Sequence, residues 1–107
     1  MFANQNEKHS ELMERANTVG IDFLKTEIQT AFTFIQVAET SSSPETRARN
    51  FGLALKGYHA VLHFLPRLVP TPDERTEIDQ SMGKLKQRLG EAGYSSETSL
   101  PADSKSL

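Results

Sequence analysis

Three stretches of this chain place apolar residues at alternating intervals of three and four, and that spacing commits a sequence to helices packed side by side. The first is Ile21, Leu24, Ile28, Ala31, Ile35 and Ala38. The second is Ala48, Phe51, Leu55, Tyr58, Leu62 and Leu65, widened on one flank by Ala54, Val61, Phe64 and Leu68. The third is Ile78, Met82, Leu85 and Leu89. No stretch alternates with the period of two that a half-buried strand needs. The fold class expected is all-α, an antiparallel three-helix bundle, because short connections make sequential helices run in opposite directions.

The boundaries come from capping chemistry. Thr71-Pro72-Asp73-Glu74 is a helix start: Thr71 accepts the Glu74 amide, the Glu74 side chain reaches back, and Pro72 takes the first helical position. Thr40-Ser41-Ser42-Ser43-Pro44-Glu45 stops one helix and starts another, with Ser43 or, one residue earlier, the pair Ser42 and Glu45 as the cap. Pro66 removes a donor and ends the second helix or kinks it into a last turn near Leu68. Gly90 and Gly93 close the third.

Upstream, Leu12, Ala16, Val19 and Phe23 continue a stripe at spacing four, three, four, and Gly20 sits where the two stripes meet. A break there leaves open whether residues 10–39 form one helix or two, the second possibility adding a short N-terminal helix. The domain expected is residues 10–93, between a disordered N-terminus at 1–9 and a disordered serine-rich tail at 94–107. The wide arc of the second helix suggests that it is the central one.

Composition narrows the function classes. The 107 residues contain no cysteine, which rules out disulfides, thiolate nucleophiles and cysteine-held metals. Net charge is -2, and few aromatics lie among the charges, so neither nucleic acid nor a membrane is expected as partner. No apolar run approaches a membrane span, and the first residues carry acids rather than a secretory core, so the expected setting is the cytoplasm. Most serines lie in the linker or the tail, and Asp73, Glu74, Glu77 and Asp79 complement a helix dipole at its start. No enzyme activity and no cofactor are expected.

Two features remain as candidate sites. His59 and His63 stand four apart, the spacing of a helical metal pair, but no glutamate lies between them and no third ligand follows. They are therefore weak metal candidates. With Arg49, Lys56 and Arg67 they form a cationic strip, and residues 44–68 carry a net +3 against -5 for the remainder. That asymmetry suits an acidic peptide, a phosphate group or the protein's own acidic segments, and these five residues are the expected partner-binding surface. Phe23, Phe32 and Phe34 are expected at different angles around the first helix, so that not all of them face one neighbour. One of them is expected on an exposed patch, and self-association as a two-fold dimer through this helix follows from that. Folding back of residues 10–19 over the exposed ring is the alternative.

Leu53-Ala54-Leu55-Lys56-Gly57 resembles the His-x-Leu-Lys-Gly core of histidine phosphotransfer domains, with Leu53 standing where the phosphorylated histidine belongs. From Ala31 to Leu89, the alanines Ala31, Ala38 and Ala54, the A-x-x-x-Y pair Ala54 and Tyr58, and Leu62 before a proline turn resemble one-and-a-half tetratricopeptide units. The same stretch resembles the three-helix microtubule-interacting and transport (MIT) domain. Both resemblances imply peptide binding in grooves between helices. The sequence thus points to a non-catalytic helical protein-interaction module, with a small-ligand or metal-binding bundle centred on His59 and His63 as the alternative.

Overall fold

A computed structural model gives the backbone of residues 2–95 and the side chains of residues 8–95. Among these residues the chain forms α1 (Phe2–Thr40), α2 (Pro44–Phe64), a 3-10 turn (Leu65–Arg67) and α3 (Pro72–Glu91), with no strand. The starts of α2 and α3 are capped as their chemistry requires. Ser43 Oγ accepts the Thr46 amide with Pro44 in the first turn, which decides between the two caps in favour of Ser43. Thr71 and Glu74 form the reciprocal capping box. Gly93 adopts φ 96° just past the end of α3, a conformation that a β-carbon would strain.

Helices α1 and α2 run antiparallel. Going up α2, Arg47 meets the carbonyl of Ala38, Gly57 meets Ala31, Phe64 meets Phe23, and Leu68 beyond it meets Gly20. Helix α3 returns parallel to α1, and two ion pairs fix that alignment: Lys25 with Glu74 at 3.8 Å, and Glu39 with Arg88. Each helix touches the other two, and α1 against α2 is the broadest interface. The long helix α1 is therefore the element the others are built on, and α2 is not uniquely central.

The core is the set of stripes, with one rotation. Ile21, Leu24, Ile28, Ala31, Ile35 and Ala38 of α1 and Ile78, Met82, Leu85 and Leu89 of α3 are all buried, as their spacing predicts. In α2 the buried residues are Phe51, Ala54, Leu55, Tyr58 and Val61, while Leu62 is 45% exposed and Ala48 is exposed. The buried face is turned by roughly 40° toward the Ala54–Val61 flank, at 100° per residue. Small residues cause the turn. A β-carbon on Gly57 would lie 3.3 Å from that of Ala31, so α2 closes on α1 along its Ala54–Gly57 side and Leu62 swings outward.

Two boundaries differ from expectation. Helix α1 begins at Phe2, so residue 9 is not its edge; the segment before it holds Ala3, Gln5, Glu7 and Lys8, which favour helix without needing an apolar stripe. The helix also passes through Gly20 unbroken, which makes residues 10–39 part of one helix and removes the folded-back alternative. At the other end, Tyr94 stacks on Phe51 with ring centroids 5.6 Å apart, so the bundle extends past residue 93. Residues 96–107 of the serine-rich tail lie outside the described residues.

Candidate docking groove on the long helix

Helix α1 outruns its partners. Loop residue Val69 is tied to Asn17 by two hydrogen bonds, and α2 with its 3-10 turn stops at the level of Gly20. The part of α1 before Asn17 projects beyond the bundle by roughly 20 Å at 1.5 Å per residue. Its apolar stripe does not continue the core. Leu12, Ala16, Val19 and Phe23 lie roughly 120° around the helix from the Ile21–Ala38 face. Nothing among the described residues covers Leu12 or Val19, which are 61% and 67% exposed.

This stripe forms one wall of an open groove of about 700 Å³. The other wall is the end of α2 and its 3-10 turn: Phe64, Arg67 and Leu68. Phe64 meets Phe23 edge-to-face at 5.9 Å, and the Arg67 guanidinium lies 5.8 Å above the Phe64 ring. Leu68 rests directly on Gly20, where a β-carbon would come within 2.5 Å of the leucine Cδ2. Glycine at this position lets the two walls meet. A second hollow of about 430 Å³, lined by Met13, Asn17 and Val69 among others, flanks Leu68 on its other side.

The cationic strip is dispersed relative to this groove. Arg49, Lys56 and His63 are exposed on a shared side of α2, and His59 is half-buried with its ring 5.8 Å from that of Tyr58. His63 packs its ring edge-on against Phe64 at 4.8 Å. Of the five expected binding residues, Arg67 lines the groove. Among the described residues no group of three or more His, Asp or Glu side chains is placed to hold a metal ion, so His59 and His63 gain no third ligand there. Of the three phenylalanines, Phe32 and Phe34 pack against the core and Phe23 is left 43% exposed in the groove.

The Leu12–Phe23 stripe is legible in the sequence as an upstream continuation that meets the core stripe at Gly20. Phe64 and Leu68, the opposing wall, are not legible there, since the sequence places them only on the flank of the second helix. The available signal is the change of face at Gly20: the core positions one, two and three turns before Ile21 are Asn17, Glu14 and Ser10, all polar.

No helix among the described residues is long and apolar enough to cross a membrane. No protein-family model, curated protein or solved structure matches the chain at a significant level. The class that the fold defines is an all-α three-helix bundle with an extended first helix.

Proposed function

We propose that this protein is a non-catalytic helical interaction module that works by docking an apolar helix into the groove beside the α1 projection, and that the helix it takes is α1 of a second copy. The observation that carries the reading is the uncovered stripe Leu12, Ala16, Val19 and Phe23, faced by Phe64 and Leu68 across an open groove. An apolar face of this kind on a small bundle gains most from a partner with a matching stripe, and the chain itself supplies one. Arg15 and Arg67 border the groove, so charged groups can orient what the apolar surface holds. A chain with no cysteine, and with no helix among its described residues long and apolar enough to cross a membrane, suits a cytoplasmic setting.

The reading is tested by following backbone amide resonances as the protein is diluted. Shifts concentrated at residues 12–23 and around Phe64 and Leu68 are expected as copies separate. Spectra that do not change over a hundredfold dilution, or changes centred on α3, would overturn it.

A further inference from the structure

The α1 stripe carries its own register. Taking Ala16 and Phe23 as one set of seam positions and Leu12 and Val19 as the other, the pattern is a short heptad seam. Arg15 and Asp22, seven residues apart, both lie along one edge of it, and Met13 and Gly20 lie along the other. Arg15 and Asp22 are exposed, and neither has an ion-pair partner among the described residues.

Building on the docking reading above, we propose that two copies pair antiparallel through α1 about a two-fold axis between Asn17 and Thr18, with Arg15 of each copy facing the partner's Asp22. In this register Leu12 meets the partner's Phe23 and Ala16 meets the partner's Val19, which by symmetry gives four apolar layers. The next layers on both sides pair His9 with the partner's Thr26, so the apolar seam ends in step on both helices. Met13, 59% exposed alone, faces the partner's edge at Gly20, where it meets the Leu68 side chain that already covers that glycine. Each projection lies along the other copy's groove beside Phe64 and Leu68.

Charge complementarity selects this arrangement over its neighbours. Sliding the helices by one heptad either way leaves two apolar layers instead of four. One slide sets Asp22 against the partner's Asp22, and the other sets Arg15 against the partner's Arg15. Parallel pairing aligns like positions, stacks Phe23 on the partner's Phe23 and leaves a gap at Ala16, and makes no Arg15–Asp22 contact.

Charge reversal tests the register. Arg15→Asp alone sets two acids against each other across the seam, and Asp22→Arg alone sets two arginines together. Each variant should self-associate about tenfold more weakly than wild type with unchanged helical content. Mixing the two in equal amounts should restore wild-type affinity, because the mixed dimer has two opposite-charge pairs again. If wild type dimerises but the mixture stays as weak as the single variants, the register is overturned and the docking reading survives. If wild type does not associate at all, both fall. Association that appears only after residues 96–107 are removed would instead make that segment the occupant of the groove.

Discussion

The carboxamide of Asn17 makes both of its hydrogen bonds with the backbone of Val69: Nδ2 donates to the Val69 carbonyl at 2.9 Å, and Oδ1 accepts from the Val69 amide at 2.6 Å. This pair marks where the bundle ends and the α1 projection begins. It also holds Leu68 down on Gly20, and so shapes the groove wall. Replacing Asn17 by Ala should cost about 1 kcal/mol in denaturant melts, the net worth of hydrogen bonds at an exposed site. Asn17→Asp keeps the acceptor and loses the donor, and should fall between the two.

Leu55 and Leu62 separate the buried face of α2 from its exposed one. Leu55 is 1% exposed, and Leu55→Ala should cost about 2–5 kcal/mol. Leu62→Ala should cost less, about 1 kcal/mol, because nearly half of its side chain already faces water and the site can collapse toward the surface. Equal losses at the two positions would mean that α2 is rotated from the orientation described.

Much of this fold is legible in the sequence. Core positions on α1 from Ile21 onward and on α3 follow from spacing alone, since the three-and-four stripe of each is the face the bundle buries. The starts of α2 and α3 were legible because a Ser or Thr before Pro states its own geometry. The rotation of α2 was not, because its apolar arc is wide, and the choice between Leu62 and Val61 depends on how closely Gly57 lets α1 approach. The groove was legible only in half. Its α1 wall is a local pattern, whereas Phe64 and Leu68 join it through contacts more than forty residues away in sequence.

Tyr94 should anchor the end of the bundle. Its ring stacks on Phe51 at 29° between planes, and Tyr94→Ala should lower stability by about 1–2 kcal/mol. Thermal melts of this variant beside a chain ending at Ser95 will separate the role of the ring from that of the residues after it.

Gly83 lies inside α3, and a β-carbon there would meet nothing within 4 Å. Gly83→Ala should therefore stabilise the bundle by about 1 kcal/mol, from helix propensity alone. Gly57→Ala should do the opposite, because its β-carbon would crowd Ala31 at 3.3 Å and push α2 away from α1. Denaturant melts of both variants give the two signs.

The central claim is that the exposed stripe on α1 is a surface for a second copy, and sedimentation velocity across a wide concentration range tests it most directly. Wild type should move from the mass of one chain toward the mass of two as concentration rises, and Val19→Glu, which buries a charge in the seam, should stay at one chain throughout. A wild-type protein that keeps the mass of a single chain at the highest concentration, or a Val19→Glu variant that dimerises as wild type does, would contradict the account.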